Sequence, residues 1–165
     1  MAFPIPDRKG VGEILLVGGG VGVPPLVLLA ESMPRYPMTA FIGGRGKVDV
    51  LCLDDFERMG VTLHAATEDG SLGFQGYVTE ALEYRLAQVK ADGKSRLLYA
   101  CGPHPMLARI AQIVSAASIP AYFSLEAAMA CGMGLCMGCA ERGVGGDYPL
   151  VCRQGPVFRA EEIQW

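Results

Sequence analysis

The chain has 165 residues, 51% of them hydrophobic, with 22 glycines, 11 prolines and a formal net charge of −3. That length suits one domain, or one domain with a small appendage, and the apolar content excludes a disordered chain. The slight acidity offers no basic field, so neither nucleic acid nor an anionic membrane surface is expected as a partner.

Residues 1–12, with Pro4, Pro6, Gly10 and Gly12, read as a linker. The apolar run 13–18, closed by glycine, predicts a strand buried on both faces. A helix is predicted over 24–32, where proline is tolerated in the first turn. The stretch 14–30 is uncharged, but Gly18, Gly19, Gly20, Gly22, Pro24 and Pro25 would break a membrane-spanning helix there. With no cationic leader either, the expected compartment is the cytoplasm. Further strands are predicted at 38–43, 61–66, 96–101 and 121–125. Val78, Leu82, Leu86 and Val89 mark one amphipathic helix, and Met106, Leu107, Ile110, Ile113 and Val114 mark another. Strands alternating with helices predict an α/β fold over 13–125, a doubly wound sheet of five parallel strands. Residues 126–165 abandon that rhythm and are expected to hold a metal-binding loop and a short terminal hairpin.

Three motifs carry chemistry. Gly18-Gly19-Gly20-Val21-Gly22-Val23 lies between the first strand and the first helix, where backbone N–H groups and a helix end can hold a pyrophosphate. The spacing is neither the usual dinucleotide fingerprint nor a Walker loop, so a plain tight turn is an equal reading. Cys101-Gly102-Pro103-His104-Pro105-Met106 ends the fourth strand and falls on the same sheet edge. Cys131, Cys136, Cys139 and Cys152 are four of the six cysteines, spaced C-x4-C-x2-C-x12-C. The first three match the plant-type spacing that holds a [2Fe-2S] cluster. Gly132, Gly134 and Gly138 suit a loop that must bend tightly and aim amides at sulfur. A four-thiolate zinc site is the rival reading, although its usual pairs of C-x2-C occur here only once. Cys52 and His64 fit no motif and read as core or edge residues, and His104 reads as the start of a helix.

Taken together, these motifs resemble the pyridine-nucleotide domain of the ferredoxin–NADP reductase superfamily. Thr67-Glu68-Asp69-Gly70-Ser71, Gly73-Phe74 with Gly76-Tyr77-Val78-Thr79, and Leu125-Glu126 leading into the cysteine loop narrow it. They resemble the electron-transfer subunit family of NAD-dependent (class 1B) dihydroorotate dehydrogenase. The resemblance implies that Cys131, Cys136, Cys139 and Cys152 hold a [2Fe-2S] cluster and that residues 18–23 lie under the pyrophosphate of NAD(H). It implies that Cys101, the candidate catalytic residue, stands with Gly102, Pro103 and Met106 beside the nicotinamide and an FAD. Glu68 and Asp69 would repel a 2′-phosphate and favour NAD, whereas Arg45 could receive one. In that family an FAD-binding barrel precedes the nucleotide domain, and Phe3-Pro4-Ile5-Pro6 resembles the junction.

The implied partner is an FMN-containing catalytic subunit that oxidises dihydroorotate in pyrimidine biosynthesis, in a heterotetramer of two subunits of each kind. The apolar Met133, Leu135 and Met137 are poorly explained as solvent-facing residues and would face that partner. The alternatives are a homologous subunit of a ferredoxin:NADP oxidoreductase or hydrogenase complex, and a non-catalytic, zinc-stabilised interaction module.

Overall fold

The computed structural model describes residues 2–7, 10–89 and 92–165. Met1, Arg8 and Lys9 of the predicted linker lie outside the described residues, as do Lys90 and Ala91 in the middle of the chain. In chain order come β1 (Glu13–Gly19), α1 (Pro24–Ser32), β2 (Met38–Gly44), α2 (Leu53–Arg58), β3 (Thr62–Thr67), β4 (Phe74–Gln75), α3 (Val78–Val89), β5 (Arg96–Cys101), α4 (His104–Ala117), β6 (Ala121–Ser124) and β7 (Val157–Arg159).

These strands form one sheet in the order β4-β3-β2-β1-β5-β6-β7. The five expected strands are present and parallel. Two short strands that the sequence left unmarked widen the sheet to seven: β4, parallel to β3, and β7, antiparallel to β6. The expected terminal hairpin is therefore corrected. Residues 157–159 pair with β6 instead of with a neighbour in the tail, because Val157 and Phe158 find apolar cover there.

Alternate residues of β1 feed two cores, as the pleat requires. Leu15 and Val17 face α3 and α4, whereas Ile14 and Leu16 face α1 and α2. Cys139, Val151, Phe158 and Ile163 join the core beneath α3 and α4. The cysteine segment is thus seated on the same core as the sheet.

A polar knot closes the amino ends of the strands. The Glu13 carboxylate accepts the Thr39 hydroxyl and Arg96 Nε, each at 2.8 Å, and Arg96 also pairs with Asp92. Glu13 and Arg96 side chains are 11% and 8% exposed. Glu13→Ala should therefore cost about 2 kcal/mol, since it takes one of two carboxylate partners from a buried guanidinium. A lower midpoint in chemical denaturation, at unchanged slope, checks this.

Candidate functional site

The strand order reverses between β1 and β5, so the loops after these two strands diverge at a switch point. The structure brings the two sequence motifs there into direct backbone contact. A Cβ built on Gly22 would lie 2.4 Å from the Cys101 carbonyl, and one on Gly19 would lie 2.9 Å from the Met106 sulfur. Gly102, at φ +154°, fits against the backbone of Gly19. Only hydrogen side chains allow this approach.

Beside that contact opens a cleft of about 740 Å³, a size suited to a nucleotide. Gly19, Gly20, Arg45, Glu68, Pro103 and Met106 line it. Gly18, Gly22 and Val23 are buried behind the wall, while Val21 points to solvent. Gly20 adopts φ +55° in a 3-10 turn over Gly20–Gly22, leading to α1. Pro24 and Pro25 occupy the first helical positions and have no N–H to give. Any anion held here must therefore take its donors from the glycine turn more than from the helix.

Cys101 and Asp69 stand elsewhere. Cys101 is 3% exposed and belongs to the core on the α1 side, off the cleft wall. Burial pushes its thiol up, partly offset by a hydrogen bond from Ser124. Asp69 accepts the Ser71 N–H at 2.9 Å and its hydroxyl at 2.6 Å. These bonds hold its carboxyl below the usual range and commit it to a turn.

Other cleft residues were not singled out as site residues in the sequence, although Tyr77 lies in the Gly76–Thr79 stretch that carries the resemblance. Tyr77 immediately precedes α3, Glu80 and Glu83 lie in its first half, and Arg109 comes from α4. Glu80 accepts the Tyr77 N–H at 2.7 Å, which caps α3. Arg109 pairs with Glu83 at 2.7 Å and joins the two helices at the rim. No short motif marks Glu80, Glu83 or Arg109; only the fold collects them. His64 stacks on Phe41 at 4.9 Å, and burial lowers its pKa. His104 lies 5.4 Å from the ring of Trp165.

The second site is the cysteine loop. Its four thiols fall into two pairs, with the Cys136 thiol hydrogen-bonded to Cys131 and that of Cys152 to Cys139. Backbone amides converge on them: Met133 N–H on Cys131 at 3.4 Å, Gly138 N–H on Cys136 at 3.4 Å, and Cys152 N–H on Cys139 at 3.5 Å. The Met133 N–H, followed by the Cys136 amide, draws Cys131 down to about 6. The Cys152 N–H likewise lowers Cys139, while the bond it gives Cys139 raises Cys152. Gly132 and Gly134 take positive φ as expected, at +65° and +79°. At the third bend Met137, at φ +59°, takes the left-handed turn in place of Gly138.

Among the described residues, no three His, Cys, Asp or Glu groups surround a single ion-sized point. Two pairs of thiols flanked by amide donors suit a two-iron cluster, in which each iron takes two sulfur ligands from the protein. Met129, Met133, Leu135 and Met137 stand exposed around the loop, Leu135 by 78%.

Residues 126–164 match the family model described as the iron-sulfur cluster binding domain of dihydroorotate dehydrogenase B. The chain is 39% identical over 165 residues to the electron transfer subunit of dihydroorotate dehydrogenase B (NAD(+)) from Bacillus caldolyticus, covering 98% of this chain and 61% of that one. It is 34% identical over 164 residues to the probable subunit of the same name from Methanocaldococcus jannaschii, covering 98% and 59%. The chain thus spans about three fifths of the length of these curated relatives. Among solved structures, it superposes on the NADH-dependent reduced ferredoxin-NADP oxidoreductase with a TM-score of 0.79 at 30% identity, covering 98% of this chain and 57% of that one. The C-terminal domain of a Pyrococcus furiosus hydrogenase, at 16% identity and a TM-score of 0.54, shares the fold over 76% of this chain and 98% of its own. Over 98% of its own length the chain is thus similar to electron transfer subunits of dihydroorotate dehydrogenase B, and its residues 126–164 match the iron-sulfur domain of that family.

Proposed function

We propose that the chain carries electrons from NADH, by way of FAD, to a [2Fe-2S] cluster that serves an FMN-containing dihydroorotate dehydrogenase subunit in pyrimidine biosynthesis. The observation that carries this reading is the paired, amide-flanked thiol set, lying inside the segment that matches the iron-sulfur domain. When bound, the flavin and the cluster supply the passage from a two-electron hydride to single electrons.

The chain's own residues do the positioning. Cys131 and Cys136 would hold one iron, and Cys139 and Cys152 the other. The Gly18–Val23 loop would carry the pyrophosphate, with Gly19 and Gly20 on the cleft wall. Cys101, Gly102, Pro103 and Met106 would shape the edge that receives the nicotinamide and flavin rings. Buried as it is, Cys101 contributes there by packing. Residues 13–125 form the nucleotide-binding part and 126–165 the cluster part. Met133, Leu135 and Met137 would meet the catalytic subunit, since electron transfer requires close approach, in a heterotetramer of two subunits of each kind. No helix among the described residues is long and apolar enough to cross a membrane.

Of Glu68 and Asp69, Glu68 is the one that lines the cleft, and it favours the free ribose hydroxyl of NADH over a 2′-phosphate. Glu68→Lys should shift the preference towards NADPH by at least about fivefold. Paired titrations with the two nucleotides check this.

A second reading keeps this chemistry but gives ferredoxin or a hydrogenase as the partner; the 0.79 TM-score supports it. The test of both is an anaerobic absorption spectrum before and after dithionite, with iron, sulfide and zinc assays. A brown protein that bleaches, with about two irons and two sulfides per chain, supports the cluster. Stoichiometric zinc in a colourless protein sinks it. Capture of the FMN subunit by the loaded protein then separates the two partners.

A further inference from the structure

The turn that delivers Cys152 also delivers Arg153, and this arginine reaches back across the cysteine loop. Its Nη1 donates to the Met133 carbonyl at 3.3 Å, bridging 20 residues of sequence. Its stem lies flat on Gly134, where a Cβ would come within 2.6 Å of Arg153 Cγ. Gly134 has φ +79° as well, so both space and backbone angle reserve that position for glycine.

One residue links these contacts. Met133, whose carbonyl the guanidinium holds, gives its own N–H to the Cys131 sulfur at 3.4 Å. The guanidinium thus fixes a residue whose amide faces a cluster ligand. Among the described residues, no ion pair includes Arg153. Its charge is not cancelled locally.

We propose that Arg153 is a positioning residue for the cluster. It clips the 131–136 loop onto the returning segment, and through its uncancelled positive charge it favours the reduced, more negative state. Charge and hydrogen bonds to sulfur are the two means by which a protein tunes such a centre. The inference rests on the cluster reading above.

The test uses the full chain loaded with iron and sulfide under anaerobic conditions, as wild type, R153Q and R153K. Midpoint potentials are read by a redox titration followed by electron paramagnetic resonance. Iron loss to a chelator is followed in parallel, and melting of the metal-free proteins reports folding. R153Q is expected to have a lower midpoint potential and to lose iron about tenfold faster, while melting with wild type. R153K, which keeps the charge without the planar fork, should recover most of the potential and less of the retention. A wild-type rate of iron loss in R153Q would overturn the clip, and a wild-type potential would overturn the electrostatic role. Wild-type protein that takes up no iron and sulfide would instead overturn the cluster reading itself.

Discussion

Cys139→Ser is expected to leave the protein unable to keep a cluster, with visible absorption and iron both at background after anaerobic reconstitution. Cys139 is the buried member of the thiol set, only 4% exposed, and receives both the N–H and the thiol of Cys152. A serine oxygen there is a harder and poorer ligand for iron, and burial gives the site no substitute donor from solvent. The loss should exceed the roughly 100-fold that removal of an outer hydrogen-bond partner can cost. Cys52→Ser is the matched control. Cys52 lies at the start of α2 with its thiol pushed up by burial, away from the loop, and should retain full iron. Full iron in Cys139→Ser would move the ligand set elsewhere in the chain.

Gly22→Ala should be the most damaging single-methyl change at the nucleotide edge. The new carbon would stand 2.4 Å from both the carbonyl carbon and oxygen of Cys101 and 2.6 Å from the Gly102 nitrogen. These are backbone atoms of a central strand, which cannot turn aside as a side chain does. The cost should be about 3 kcal/mol in denaturant unfolding, with NADH binding weakened because the loops after β1 and β5 are forced apart. Gly20→Ala makes the comparison informative. Its Cβ meets nothing within 4 Å, so the φ of +55° alone sets a penalty of about 1 kcal/mol. Equal losses in the two variants would mean that the β1–β5 contact does not govern the edge.

Much of the scaffold was legible because its strands are apolar runs cut off by glycine, as at Gly18 and Gly43, and its longer helices repeat apolar residues at steps of three and four. The unmarked elements are the short ones. Helix α2 has six residues and opens on Cys52 at φ +61°, so neither a periodic stripe nor a usual cap announces it. Strands β4 and β7 have two and three residues and exist because β3 and β6 offer a free edge. At the site, glycine and cysteine spacing placed the turn over Gly20–Gly22 and the thiol set, because each motif is local. The contact of Gly22 with Cys101, by contrast, joins residues far apart in the chain. Asp69 looked like a partner for the nucleotide until the Ser71 turn absorbed it. Glu83 and Arg109 belong to no motif, and only the meeting of α3 and α4 sets them at the cleft.

The brevity of β4 and β7 has a consequence for the protein in concentrated solution. A sheet ending in long bare strands offers a row of amides and carbonyls to any neighbouring chain. Here both margins are closed by strands too short to template such pairing, and β7 turns at once into the acidic Glu161-Glu162 turn. A proteolytic cut ahead of Val157 would strip that guard from β6. It would lay bare Tyr122–Ser124 with the core residue Phe123 among them, and the trimmed protein should self-associate where the intact one stays dispersed.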